Sequence, residues 1–205
     1  MTQTSQPPGG RSVAGNISLS LDGRITGPGG EYDMSWIVPH ALTDQSRAHL
    51  ARLTGPATTG LLGRKNYQGF SAYWPAVADD EDADPRDRAF SRWLNEVEKV
   101  VFSRTLGEAD WPNSRVTAAD PAAVVRQLRR QDGGDILVLS STSIIARLLE
   151  AGELDRLSLT LCPELVGAGA RFFGDGPAGS SWSLTEATPT DSGAICLVYD
   201  RKRPG

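Results

Sequence analysis

Two runs of the sequence pass from an apolar stretch straight onto cations. "LLGRKNY" goes from Leu61 and Leu62 through Gly63 to Arg64, Lys65 and Asn66, and "VFSRTL" goes from Phe102 to Ser103 and Arg104. Arginine offers a planar fork of donors matched to phosphate oxygens, lysine a point charge, and serine and asparagine neutral donors. A third run, "ILVLSSTS", ends on four hydroxyl residues, Ser140, Ser141, Thr142 and Ser143. A helix starting there, or after Gly63, would add backbone amides and a positive dipole end. The chemistry predicted is the binding of an anion, most simply a phosphate or pyrophosphate. Each run also has a plainer reading, as a strand end reaching water or an ordinary Ser/Thr cap. Recurrence after successive strands favours the anion.

Converging these residues requires neighbouring strand ends on one rim, as in open α/β sheets, where ligands bind outside the carboxyl ends of strands. The sequence supplies the parts. Residues 13–23, "VAGNISLSLDG", alternate Ile17, Leu19 and Leu21 and end on an Asp-Gly turn pair. A Gly-rich loop leads to "MSW", and Pro39 opens a helix predicted to reach about Leu53. "TTGLLG" is a second strand, followed by a short helix from Lys65 to about Ser71. The acidic block 78–88 reads as a solvated loop, and "FSRWLNEV" as a short amphipathic helix. "KVVFSRTL" is strand-like; "PAAVVRQLRRQ" is a helix with Asp120 as N-cap. "DILVLSS" reads as a strand covered on both faces, and "TSIIARLLEAG" as a helix closed by Gly152. "LDRLSLTLCP" and a terminal hairpin with its turn at 189–193 complete the chain.

This alternation predicts an α/β fold with three layers: a mainly parallel mixed sheet, an antiparallel C-terminal hairpin, and helices on both faces. The 205 residues suit one domain, over 13–200, with a frayed polar tail at 1–12 and a short basic tail at 201–205. The net charge of −4 provides no overall basic field for nucleic acid or an anionic membrane, so any anion site is local. No segment approaches the roughly 18 apolar residues of a membrane span. The cysteines, Cys162 and Cys196, lie in apolar runs and fit buried thiols in a reducing cytoplasm, a disulfide being the minor alternative. The histidines, His40 and His49, form no zinc-like cluster.

"LGRKNY", "VFSRTL", "SLDGRITG" and "LLEAGELDRL" followed by "PELVGAGARFF" together resemble the dihydrofolate reductase superfold. The closer likeness is to the C-terminal reductase domain of the bifunctional riboflavin-biosynthesis deaminase–reductase and its stand-alone relatives. It covers roughly residues 13–200 and excludes the deaminase part. The resemblance implies NADPH as cofactor, with Arg64 and Lys65 at the adenosine phosphate end or the pyrophosphate. It implies Ser103 and Arg104 at the ribose 2′-phosphate and Ser140–Ser143 beneath the pyrophosphate. Segment 17–27 would border the nicotinamide, and Trp36 and the helix 39–53 the substrate. It further implies a homodimer and a small heterocyclic substrate, riboflavin-precursor or pterin-like, reduced at C=N or C=O. Two departures stand out: the family often has glycine where Ser140 stands, and the dihydrofolate reductases threonine where Asn66 stands.

Hydride transfer also needs a proton. Asp44, on the helix after the "MSW" loop, is the leading candidate for its delivery, with a solvated helix residue as the alternative. Asp22 is the second candidate, with a turn role as the alternative. Glu31 and Asp33 lie in the Gly-rich loop. Trp36 suits stacking on a planar ring or packing in the core. A binding protein that keeps the nucleotide site without turnover is the rival reading.

Overall fold

A computed structural model describes residues 10–30, 33–173 and 179–203. Eight strands make one sheet: β1 (Val13–Ser20), β2 (Ala57–Gly63), β3 (Glu98–Phe102), β4 (Ser114–Thr117), β5 (Asp135–Leu139), β6 (Arg156–Cys162), β7 (Trp182–Pro189) and β8 (Ile195–Arg201). Their order is β4-β3-β2-β5-β1-β6-β8-β7, parallel from β4 through β6 and antiparallel across β6–β8 and β7–β8. The predicted mainly parallel mixed sheet with an antiparallel C-terminal hairpin is therefore the one observed. The edge strand β4 was not legible in the sequence: four residues with no fully buried side chain carry little apolar periodicity.

The helices α1 (Val38–Ala41), α2 (Asp44–Thr54), α3 (Arg64–Val77), α4 (Pro85–Glu96), α5 (Pro121–Leu128) and α6 (Thr142–Glu150) fill the outer layers. One sheet face packs Val13, Ile17 and Leu61 against Val125, Leu128, Ile145 and Leu148 of α5 and α6. The opposite face packs Ala14, Leu62 and Val101 against Leu53, Tyr67, Phe90 and Leu94 of α2, α3 and α4. Alternation along β1 thus turns its even-numbered side chains toward α2.

Several predicted boundaries shift for local reasons. The single helix expected over 39–53 is two, because Thr43 accepts a hydrogen bond from Ser46 N and starts α2 afresh. The short helix after Lys65 runs on to Val77 with Pro75 in its last turn. Part of the acidic block is not loop: Asp84 caps α4, and Pro85 stands at a first-turn position, where its missing N–H costs nothing. Asp87 and Asp84 ion-pair with Arg47 of α2 at 2.7 and 3.6 Å. The ordered chain also exceeds 13–200. Arg11 is buried, donating to Gly134 O, Thr58 Oγ1 and Thr59 Oγ1, while Arg203 ion-pairs with Asp155. Residues 1–9 and 204–205 of the predicted tails lie outside the described residues.

Cys162 and Cys196 are buried free thiols, and burial pushes Cys162 up to about 12. Lys99 is fully buried; its Nζ donates to Leu94 O and Val97 O at the end of α4 and lies over the Trp111 ring. Desolvation lowers its pKa to about 8. Among the described residues no helix is long and apolar enough to cross a membrane, and no group of three or more His, Cys, Asp or Glu could hold a metal ion.

Candidate functional site

The sheet order brings the predicted anion-binding residues to one rim. Gly63 is in register with Phe102, so Arg64 and Ser103 leave adjacent strands; β5, ending just before Ser140, flanks β2 on its other side. The rim reads Ser103-Arg104, Gly63-Arg64-Lys65, then Ser140–Ser143. Arg64 and Arg104 are exposed, with no hydrogen-bond or ion-pair partner among the described residues. Lys65 is exposed beside them. Ser103 Oγ accepts from Thr105 N and Leu106 N at 3.1 and 2.9 Å, closing a turn and leaving the hydroxyl proton for an acceptor.

Two helices start on this rim, α3 after β2 and α6 after β5, and both differ from α2, α4 and α5. Thr43, Asp84 and Asp120 cap those three with side-chain oxygens. Neither Gly63 nor Ser141 caps its helix with a side chain, and neither helix has an acidic residue in its first turn. Both present first-turn amides and the positive dipole end. Thr142 is part-exposed and Ser143 exposed at the start of α6.

Ser141 and Asn66 are occupied by one another. Asn66 Nδ2 donates to Ser140 O at 2.6 Å and Ser141 Oγ at 3.0 Å, while Ser141 Oγ accepts from Gly63 N at 2.9 Å and donates to Leu139 O at 2.8 Å. Both were predicted as ligand contacts. The structure makes them a brace that joins the starts of α3 and α6. Ser140 has φ 47°, the left-handed conformation that glycine adopts freely. Serine here keeps glycine's backbone shape while adding a side chain. Replacing Asn66 by alanine removes both donors, and we expect a loss of about 1–2 kcal/mol in urea unfolding; unchanged stability would show that the brace is not needed.

The proton-delivery candidates stand elsewhere. Asp44 opens α2 with its carboxylate turned outward onto Arg86 Nη2 at 2.6 Å, its side chain 75% exposed. Asp22 accepts from Ser20 Oγ, Val166 N, Gly167 N and Arg24 Nε, and the Ser20 hydroxyl leads in holding it well below the usual carboxylate range. A carboxylate kept ionised in this way ties loops together and has no proton to give near neutrality. In this arrangement Asp22 links the turn after β1 to residues 166–167. Asp33 is likewise lowered, chiefly by the Gly29 amide, and Glu31 lies outside the described residues.

Sequence reasoning missed a polar layer between β1, β6 and α2. His49 is buried, its Nε2 2.6 Å from Ser158 Oγ, and Ser158 Oγ donates to Asn16 Oδ1 at 3.1 Å. Desolvation lowers His49 to about 4. Nearby, His40 Nδ1 contacts Ser192 Oγ and its Nε2 contacts Glu164 Oε1, at 2.9 and 3.1 Å, tying α1 to the loop after β6. Trp36 lies half-buried in a 3-10 turn (Ser35–Ile37), and its buried Nε1–H has no partner among the described residues. The available signal was alternation: Asn16, Ser18 and Ser20 on β1, and Ser158 and Thr160 on β6, put polar groups on one face of central strands.

Beyond Asn16, paired with Leu139, β1 continues with β6 alone as far as Ser20. Ser140 N donates to Asn16 O, so alternation directs the Ser18 N–H and C=O to the side where β5 has ended. Asn16 and Ser18 are part-exposed within the interior of an eight-stranded sheet, the mark of a cleft.

Comparison with known proteins agrees with this architecture. The family described as the RibD C-terminal domain matches residues 11–196. The uncharacterized protein YyaP of Bacillus subtilis (strain 168) is 27% identical over 191 residues, 92% of this chain and 94% of that protein. Among solved structures, a Shewanella sp. PV-4 protein assigned to riboflavin biosynthesis superposes with a TM-score of 0.71 at 17% identity, over 94% of this chain and 99% of that one. Dihydrofolate reductase from Enterococcus faecalis, complexed with NADP(H), superposes with a TM-score of 0.60 at 14% identity, over 94% and 97%.

Proposed function

Because the chain belongs to the RibD C-terminal domain family, a family of reductase fold, we propose that it is an NADPH-dependent reductase acting on a C=N or C=O bond of a small heterocyclic substrate. The observation that carries this reading is the pair of helices, α3 and α6, that start side by side without side-chain caps, next to Arg64 and Arg104, which have no partner among the described residues. Their amides and dipoles suit a pyrophosphate. Ser103 and Arg104 suit a ribose 2′-phosphate, the group that distinguishes NADPH from NADH. NADPH, when bound, supplies the hydride. The chain's own part is to hold the phosphates on this rim, to offer Ser18 N–H and C=O to the flat end of the nucleotide, and to align a substrate beneath α2. Trp36, whose indole N–H has no partner among the described residues, belongs to the substrate side. A reducing cytoplasmic setting and a homodimer belong to the same proposal; light scattering on the purified chain tests the dimer.

Titration with NADPH and NADH tests the cofactor assignment. NADPH is expected to bind at least about tenfold tighter, and Arg104→Ala to remove most of that preference, as loss of a charge-assisted contact to phosphate should. Equal affinity for the two nucleotides in the native chain would overturn the assignment. One observation favours a second reading, nucleotide binding without turnover: Asp44 faces outward and Asp22 is held ionised, so neither candidate acid is set to protonate a substrate. NADPH oxidation over a panel of pterin, pyrimidine and imine substrates separates the two, since sustained turnover eliminates the second.

A further inference from the structure

Asn16 is fixed from two directions. Its main-chain carbonyl accepts from Ser140 N at 2.9 Å, and its side-chain Oδ1 accepts from Ser158 Oγ at 3.1 Å. Counting protons fixes the rest. A serine hydroxyl has one proton, and Ser158 gives it to Asn16. The 2.6 Å contact between Ser158 Oγ and His49 Nε2 then needs its proton from the histidine. His49 is buried and neutral at ordinary pH, so the ring is the Nε2–H tautomer. The chain of donors runs one way, from His49 through Ser158 to the Asn16 oxygen. With that oxygen occupied, the Asn16 Nδ2 points away with two N–H groups that no described residue accepts.

Those two donors belong to a part-exposed residue in the interior of the sheet, two residues from Ser18, whose backbone lines the same cleft. The charged side chains of α2 are engaged away from the cleft: Asp44 with Arg86, Arg47 with Asp84 and Asp87, and Arg52 with Glu186. A directed, uncharged donor pair selects an uncharged acceptor. A ring carbonyl satisfies it, whereas an amino group at the same ring position sets N–H against N–H.

We propose that Asn16 is a specificity-determining residue that reads a ring carbonyl on the substrate, with Ser158 and His49 as positioning residues that fix which end of its carboxamide faces the cleft. The proposal rests on the reductase reading only in treating this cleft as the substrate side. Two rings of one shape test it: uracil, with carbonyls at positions 2 and 4, and 2,4-diaminopyrimidine, with amino groups there. Each is titrated calorimetrically into the full chain, mildly alkaline so that both are uncharged, with and without NADPH. The native chain is expected to prefer uracil by about tenfold or more, the value of one mismatched hydrogen bond. Asn16→Asp, which replaces the donor with an acceptor, should reverse the preference. Ser158→Ala, which frees the carboxamide to turn, should reduce it to less than about threefold with an unchanged circular dichroism spectrum.

Equal ratios in all three proteins, a native preference for the diamine, or no binding of either ring to the native chain would each overturn the proposal. So would an Nδ1–H tautomer at His49 in nitrogen-15 NMR, a readout that needs no ligand. The nucleotide titration fails separately: a chain that discriminates the rings but does not bind NADPH refutes the reductase reading and leaves Asn16 in place.

Discussion

Alanine in place of Gly169 is expected to destabilise the domain by about 3 kcal/mol or more, a fall in Tm of roughly 6–12 °C at this size. Gly169 has φ +95°, and a Cβ there would lie 2.1 Å from Thr26 O and 2.8 Å from Gly27 O. Both obstacles are backbone, so neither can rotate aside. The contact lies where two loops are joined. Ile25 N donates to Ala170 O, Ala170 N donates to Thr26 Oγ1, and the Arg24 guanidinium reaches Gly167 O and Gly169 O. Forcing the loops apart would strain these bonds together. Gly167 is the control: its φ is +75°, but a Cβ there meets nothing within 4 Å. Gly167→Ala should lose only the left-handed strain, about 1–2 kcal/mol. Differential scanning calorimetry on both variants checks this, and equal losses would mean that the close approach to Thr26 has no energetic weight.

The second large effect is a loss of stability in mild acid. His49 is held neutral by burial, with its pKa lowered to about 4 from an ordinary value near 6.5. A lowered histidine makes folding favour the unprotonated ring. Its contribution is therefore complete above about pH 6.5 and is lost as pH falls through that value toward 4, reaching about 3 kcal/mol at the bottom of the window. The lowered carboxylates, Asp22 and Asp84 among them, act below the usual carboxylate range, so the two effects separate on the pH axis. Urea unfolding of the native chain from pH 7 to 4.5 should show a slope that His49→Gln lacks. A variant with the native slope would place the acid sensitivity elsewhere.

Legibility in the sequence follows the range of the interactions. The strand–helix alternation, the Asp120 cap and the Gly152 stop, which has φ +72°, are local, and each was readable. The cationic rim was readable too, because residue types at strand ends mark it and parallel pairing then gathers them. What the side chains do there was not readable. Ser141 and Asn66 look like ligand contacts until their separation of 75 positions closes into a hydrogen bond. Asp22 looks like a free acid until Val166 and Gly167 arrive from 144 and 145 positions away. His49 has no local signal at all, since its partner Ser158 is 109 positions on. Polar alternation in two central strands was the one pattern that could have announced the cleft, and the apolar half of the same pattern masked it.

The place of β1 in the sheet has a consequence for how the chain is made. β1 precedes every other described strand in the sequence, yet its neighbours are β5 and β6, which end at Leu139 and Cys162. Until those residues leave the ribosome, β1 has two bare hydrogen-bonding edges and β2 lacks the strand that separates it from β1. The domain therefore acquires its centre late, through pairings of high sequence separation that slow folding and expose unfinished edges to other chains. A nascent chain halted in α5 has all the cations of the Gly63 and Ser103 rim but no sheet centre to hold them. The centre of this sheet closes only when β6 has joined β1.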